Sequence, residues 1–429
     1  MPHVYINEKD STVAGSIEEN TNVVYIPGLK AADGSIEVNK PTLFKTSRAF
    51  QEAVGSYDKR NWNSRMAEMY IFLGLTVLFE AVGSESESGF LKENLSSGEV
   101  EFDFDKVALA VNWDKLRDRG LYKVKFLTAG AAGNALDETV GYAEDMLKCA
   151  AARGDCIALI DHKAAYELAT GNDGDITADD YAQAIHEDFE SIATKENNDF
   201  AKFGAAFSPW CNCTLGVKEQ PVLLPASFVY LSAYGKATQN KQNPNWFAYA
   251  GSMRGIPAFK VEPLYKFGDV ANAILQGRDI DWDKGGAFVE DDNQNSFAIN
   301  PISDIDPFGN IVWGNRTLLF NEEGLTASSF LNVRNLVCDI KKRMYKTSRK
   351  FTFEQNDDIL WANFSSDINE LLDRAKSGRG IRGSKLEPIE TDIKGRLKAH
   401  LVIIPVEAAE DFDLTLEMAD SLDIIIENA

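Results

Sequence analysis

The sequence predicts a mixed α/β fold with more than one domain, and three observations carry that expectation. A strand–helix–strand unit spans residues 122–161: a strand from Tyr122 to Leu127, the turn Thr128-Ala129-Gly130-Ala131-Ala132-Gly133, a helix over 138–153, and the apolar strand Cys156-Ile157-Ala158-Leu159-Ile160-Asp161. Such a unit calls for parallel pairing with a right-handed crossover. A second strand-to-helix element covers residues 311–344. There Ile311 to Phe320 is apolar and β-branched, and Phe330, Val333, Val337, Ile340 and Met344 recur at helical spacing. Finally, 429 residues with 44% hydrophobic content are enough for two or three domains with substantial cores.

The remaining elements follow in order. Val4-Tyr5-Ile6 and Val23-Val24-Tyr25-Ile26 read as strands separated by a polar stretch, the second ended by Pro27-Gly28. Thr46-Ser47 caps a helix over 48–54, and Ser64 caps a buried helix running on to Val82 through the apolar run 69–79. Residues 83–98 form a Ser/Glu/Gly-rich loop. Val100, Phe102 and Phe104 alternate with acids as a half-buried strand. Thr177 caps a helix with Tyr181, Ile185, Phe189 and Ile192 on one stripe, and a strand over 203–207 stops at Pro209. Pro225 starts a helix to Tyr234, and Asp269 caps one to Leu275. After residue 350, a helix from Asp357 or Asp358 presents Leu360, Trp361, Phe364, Ile368, Leu371 and Leu372. A basic turn follows, Gly378-Arg379-Gly380-Ile381-Arg382-Gly383, then antiparallel strands over 387–393 and 397–406. Phe412, Leu414, Leu416 and Met418 alternate as another strand, and Ile424-Ile425-Ile426 makes an apolar tail. A terminal strand with no sheet of its own must find an edge, its own or a neighbour's.

Formal net charge is −22, which disfavours nucleic acid and anionic membranes over most of the surface. The distribution is uneven, because residues 331–400 hold 15 basic and 10 acidic residues. On the helix after residue 330, Lys342, Lys346 and Arg349 fall opposite the apolar stripe, with Arg334 and Lys341 at its border. A basic segment in an acidic protein fits a specific acidic partner or a solvated helix face. Five cysteines, at 149, 156, 211, 213 and 338, suggest no disulfide framework, so reduced thiols in a cytosolic setting are expected. No signal peptide is expected, and the longest apolar run falls short of the roughly 20 residues a membrane span needs.

Chemistry is sparse. The 128–133 turn sits where a phosphate could meet a helix N-terminus, but it matches neither Gly-x-Gly-x-x-Gly nor Gly-x-x-x-x-Gly-Lys-Ser/Thr. Asp161 and His162 end a strand where open α/β sheets place their sites, with no nucleophile in view. Cys211-x-Cys213 and Asp279, Asp281 and Asp283 lack the spacing of zinc or EF-hand ligands. No catalytic, cofactor or metal residues are assigned. A soluble α/β enzyme using this turn with Asp161 and His162 is the alternative reading. A monomeric adaptor for an acidic partner is a third.

Several segments, in order along most of the chain, resemble the tail sheath proteins of contractile phage tails and related contractile injection particles. Ala298-Ile299-Asn300-Pro301-Ile302 is similar to Gly-Ile-Asn-x-Ile. Trp313-Gly314-Asn315-Arg316-Thr317-Leu318 is similar to Trp-Gly-Ala-Arg-Thr-Leu, and Asn332-Val333-Arg334-Asn335-Leu336 to Asn-Val-Arg-Arg-Leu. Weaker matches are Val4-Tyr5-Ile6-Asn7-Glu8 to the family's arm, Pro41 to Ser47, Phe207-Ser208-Pro209-Trp210, Leu224-Pro225-Ala226-Ser227, Trp246 to Gly251, and Pro405 to Phe412. The polar residues 83–98 depart from the family's Gly-Gly and Val-Val-Arg-Val strand.

The resemblance implies a non-enzymatic structural subunit without cofactors. It would form hexameric rings stacked helically around a tail tube, linked by arms that add strands to neighbours. It implies an N-terminal arm (1–22), an outer α/β domain (23–294), an inner tube-facing domain built with both chain ends (295–411), and a C-terminal arm (412–429). The expected arm residues are Val4, Tyr5, Ile6, Leu414, Leu416, Met418, Ile424, Ile425 and Ile426. The expected tube-facing residues are Lys341, Lys342, Lys346, Arg349, Arg374, Arg379 and Arg382. The implied partners are copies of itself, the tail tube protein, the baseplate and tail terminator proteins. Direct nucleic-acid contact and membrane insertion are not expected. The implied location is a virion tail assembled in the bacterial host cytoplasm.

Overall fold

The computed structural model describes residues 22–93, 99–137, 141–162, 177–195, 200–216, 219–240, 243–278, 280–281, 287–288, 297–321, 324–390 and 396–409. The expected arm strands at Val4, Tyr5 and Ile6, at Leu414, Leu416 and Met418, and at Ile424, Ile425 and Ile426 lie outside them. So do Asp279 and Asp283.

An eight-stranded sheet organises the body. Its strands, in chain order, are β1 (Val23–Lys30), β2 (Thr42–Phe44), β3 (Thr76–Ser84), β4 (Phe126–Thr128), β5 (Ile157–Asp161), β6 (Gly204–Ser208), β7 (Ile299–Ile305) and β8 (Gly309–Val312). In space they run β8-β7-β6-β5-β4-β1-β3-β2. The six from β7 to β3 are parallel, and β2 and β8 close the two edges antiparallel. Parallel strands are covered on both faces, so they read as continuous apolar runs. β5 is buried at all five positions and β1 at seven of eight.

Alternate residues of β1 enter different cores. Val23, Tyr25 and Leu29 join the helix α2 (Ala143–Arg153) and α3 (Ala178–Ala193) in one apolar cluster. Val24 and Ile26 join α1 (Trp62–Phe72) and α4 (Ala226–Thr238) in the other. The side-chain period of two thus places a helical layer on each side of the sheet. Local signals set most of these helices. Thr177 and Asp180 form a capping box at α3, Pro225 precedes α4, and Thr46 caps the Ser47–Val54 helix.

Several sequence expectations are corrected. The apolar run from Met69 to Phe79 is not one helix. α1 ends at Phe72, Gly74 adopts φ +82°, and β3 begins at Thr76. Asn61, not Ser64, caps α1, while Ser64 Oγ donates to the Leu29 carbonyl at 3.0 Å. Only Val100–Phe102 is strand, because Asp103 caps a helix that starts at Phe104. Asp269 opens its helix from inside and Gly268 holds the cap position. The strand expected from Ile311 to Phe320 ends at Val312. The sheet continues past residue 294 to Val312, so β7 and β8 belong to the same layer as the strands before them.

A smaller unit follows the sheet. It comprises α5 (Leu331–Lys350), α6 (Asp358–Ser377) and a hairpin of β9 (Ile381–Ile389) and β10 (Lys398–Pro405). Leu336 and Ile340 of α5 pack on Phe364, Ile368, Leu372 and Ala375 of α6 and on Ile381, forming a third core. The residues expected as a basic turn therefore pass directly into β9.

Candidate functional site

The segments that carry the sheath resemblance are scattered in sequence, and the structure brings five of them to one junction between body and helix–hairpin unit. Asn300 of β7 is 1% exposed, and its Nδ2 donates to the carbonyls of Ala206 and Arg316, each at 2.9 Å. Its Oδ1 accepts from Arg316 N at 2.7 Å. This side chain stands in for the ladder that β8 abandons after Val312, keeping buried backbone groups paired. Gly314 makes the approach possible, since a Cβ there would lie 2.7 Å from the Asn300 Cα.

The chain then reaches Asn315, whose Nδ2 donates to Asn332 Oδ1 at 2.8 Å. Asn315 also caps α5, accepting from Leu331 N on its carbonyl at 2.9 Å and from Asn332 N on Oδ1 at 3.2 Å. Asn332 Nδ2 donates to the carbonyls of Trp246 (3.3 Å) and Val406 (3.2 Å). Trp246 Nε1 donates to the Gly378 carbonyl at 2.8 Å, and its ring packs where a Cβ at Gly380 would sit 2.9 Å away. Asn332 and Trp246 thus tie α5 to the ends of α6 and the hairpin, and Asn315 with Asn300 carries the link back to β7.

The N-terminal half of α5 is buried nearly all round, not along one stripe. Asn332, Arg334, Asn335 and Asp339 are each at most 5% exposed, whereas Val337 is only partly buried. Asp339 pairs with Lys125, at 3.2 Å, and Lys125 is completely buried. Burial pushes the Lys125 ammonium down and Asp339 opposes this. Arg334 stacks 4.4 Å from the Phe203 ring, and burial lowers its pKa.

The seven expected tube-facing cations sort into groups. Lys341, Lys346 and Arg349 are exposed and form no ion pair among the described residues. Lys342 was expected to face outward, but its Nζ is buried. Arg374 pairs with Glu370, and Arg382 with Glu407 at 3.4 Å. Arg379 lies 5.9 Å from the Phe247 ring.

β9 and β10 pair only with each other among the described residues, in register from Ile381↔Pro405 to Ile389↔Lys398. Leu386, Leu401 and Ile403 pack on the third core, while Val402 and Ile404 are 44% and 56% exposed. Among the described residues, neither outer edge of this hairpin is paired, so its backbone donors and acceptors there have no strand partner. A two-stranded ribbon is marginal alone in water, and here its packing on α6 supports it.

The enzyme alternative finds its groups engaged in structural roles. The amides of Gly133 and Asn134 donate to Asp105 Oδ1 at 2.8 and 2.9 Å, and Ala131 N donates to Asn63 Oδ1 at 2.7 Å. A carboxylate of the protein already sits where a phosphate would go. Asp161 accepts from Ser227 N at 2.8 Å, at the start of α4. Burial nevertheless raises its pKa to about 7. His162 turns to the opposite side, its Nε2 3.3 Å from Asp188 Oδ2 on α3. The dyad expected from adjacency is therefore split between two helices. No cluster of metal-ligating side chains occurs among the described residues, and no helix among them is long and apolar enough to cross a membrane.

No protein-family model and no curated protein sequence matches the chain. Solved structures do match it. The contracted sheath complex of PVC, an extracellular contractile injection system, matches at TM-score 0.58 and 16% identity, covering 99% of this chain and 98% of that one. The contracted helical sheath of the anti-feeding prophage matches at TM-score 0.57 and 16% identity, covering 97% and 99%. A chain of the anti-feeding prophage baseplate, six-fold symmetrised, matches at TM-score 0.55 over 98% and 99%. The described residues have the fold of a contractile injection system sheath protein.

Proposed function

We propose that this protein is the structural subunit of a contractile tail sheath. Copies assemble as hexameric rings stacked helically around a tail tube, dock on a baseplate and a tail terminator, and contract to drive the tube through a host envelope. Such a subunit is built in the bacterial host cytoplasm and resides in the tail. It carries out no catalysis, binds no cofactor and makes no direct contact with nucleic acid or membrane.

The open-edged hairpin of β9 and β10 carries this reading. Strand addition at an exposed edge joins chains through backbone hydrogen bonds. The terminal arms at Val4-Tyr5-Ile6 and around Leu414, Leu416, Met418 and Ile424-Ile425-Ile426 supply the incoming strands from neighbouring copies. The contact is head-to-tail and does not close on itself, so it generates a helical array. The exposed cations Lys346 and Arg349, with Lys341, Arg374, Arg379 and Arg382, face the tube; Lys342 serves α5 from within.

Electron microscopy of the purified protein tests the proposal. Long hollow tubes are expected, and removal of residues 1–20 leaves soluble, unpolymerised protein. A discrete monomer that binds nucleotide overturns it, and tubes that persist without residues 1–20 overturn the linkage by arms.

A further inference from the structure

A continuous basic and aromatic band runs along α5 on the side away from α6. The Tyr345 ring lies between two guanidinium groups, 5.3 Å from Arg119 and 5.8 Å from Arg349. One turn earlier, Lys341 Nζ lies 5.5 Å from the Phe203 ring, with buried Arg334 against the same ring at 4.4 Å. Burial lowers the Lys341 pKa, and the positive charges of Arg334, Lys202 and Arg119 push in the same direction. Arg119, Lys341, Lys346 and Arg349 form no ion pair among the described residues, although the chain carries an excess of acid. Nearby basic residues do pair: Lys350 meets Asp367 at 2.7 Å and Arg382 meets Glu407. Like charges gathered on one strip repel, and an opposite charge placed there relieves this.

We propose that this band binds the acidic and apolar segment 410–429 of the same chain. That segment holds seven acidic residues, from Glu410 to Glu427, and no Lys or Arg. Phe412, Leu414, Leu416 and Met418 are interleaved with the first of these acids, matching a surface of cations and aromatic rings.

The place where the described chain ends favours the same copy as the source. Val406 accepts from Asn332, so the segment departs beside the first turn of α5. Lys341 lies about 14 Å farther along the helix axis and Arg349 about 26 Å, at about 1.5 Å per residue. Twenty extended residues span up to about 66 Å, enough to pass round the helix. A tether of this kind gives an effective concentration of about millimolar, so individually weak exposed contacts suffice. In the unassembled subunit the segment covers Lys341, Lys346 and Arg349, and assembly displaces it. That consequence rests on the sheath reading, whereas the binding itself does not.

Carbodiimide cross-linking joins lysine to carboxylate at zero length and reads the contact directly. Full-length protein is mixed with a ¹⁵N-labelled copy, kept unassembled at low concentration, cross-linked and digested for mass spectrometry. The expected products join Lys341 or Lys346 to acids of residues 410–429, as light–light and heavy–heavy pairs. Arg119→Glu with Arg349→Glu leaves both lysines in place as reporters and lowers these products roughly fivefold or more. An unchanged thermal unfolding curve keeps that comparison valid, and the single variant Arg349→Glu, with a smaller loss, serves if the pair unfolds. Absence of these products, light–heavy pairs in their place, or yields untouched by the Arg variants overturns the proposal. Hollow-tube formation is scored separately, so the sheath reading stands or falls on its own.

Discussion

Asn315 and Asn332 lie 17 residues apart and meet side chain to side chain, Nδ2 to Oδ1, at 2.8 Å where the sheet layer gives way to α5. Each bonds onward. Asn315 caps the helix, and Asn332 reaches the Trp246 and Val406 carbonyls. Both side chains are at most 5% exposed, so every lost partner leaves a buried polar group unpaired.

Asn332→Ala should therefore cost about 1–2 kcal/mol, from one buried amide and two part-buried carbonyls left without this partner. The loss should be local. Hydrogen exchange should accelerate in Ile381–Ile389 and Lys398–Pro405 well before it changes in Ile157–Asp161. Equal acceleration everywhere would contradict the junction role.

Lys125 and Asp339 form a buried pair, and removing one partner strands the other. Lys125→Met should destabilise by about 3–5 kcal/mol, while Lys125→Met with Asp339→Leu should recover much of that loss. A double-mutant cycle in urea measures the coupling.

Asp161 titrates near 7 in the folded chain, well above an unfolded aspartate. The folded state thus holds a proton that the unfolded state releases between about pH 4 and 7. The stability this group contributes is fully present below about pH 4 and is lost as pH rises through about 7. Asp161→Asn keeps an oxygen for Ser227 N and cannot ionise. Relative to the variant, the parent protein should lose stability from pH 4 to 8. Parallel stability curves would remove the assignment.

Charge reversal tests the tube-facing assignment at the exposed cations. Lys346→Glu with Arg349→Glu should weaken co-sedimentation with purified tail tubes by roughly fivefold, with thermal stability unchanged. Lys342→Glu should instead lower stability, because its Nζ is buried. Equal tube binding by the Lys346/Arg349 variant would move the tube contact elsewhere.

The sequence disclosed elements whose signals are local. Thr177 with Asp180 marks a capping box, Pro225 marks a helix start, and Ile157 to Asp161 is apolar at four of five positions. The stretch from Trp62 to Ser84 was misread because buried parallel strands and buried helices look alike, and only Gly74 separates the two. The end of β8 was illegible for a different reason. Its termination depends on Asn300, on a strand already passed, satisfying Arg316. Lys342 reads as a surface cation and Arg334 as a border one, because burial on a helix is set by distant packing, as when Phe203, more than a hundred residues away, meets Arg334. The asparagine and tryptophan junction was present only as separate motifs, since hydrogen bonds across 86 residues leave no periodicity. The arm segments lie outside the described residues, so the proposed linkage of copies rests on the hairpin that would receive them.

The division of α5 into a first half buried nearly all round and a half-exposed second half has a mechanical consequence. The helix is about 30 Å long, and its root is clamped between the sheet layer and α6. It is a cantilever. A pull on the hairpin becomes a bending moment at Asn315 and Asn332, while the six parallel strands behind them act as the wall. The compliance of the molecule concentrates at that root, and in the proposed sheath the stiffness of the body would set how faithfully one subunit's motion reaches the next.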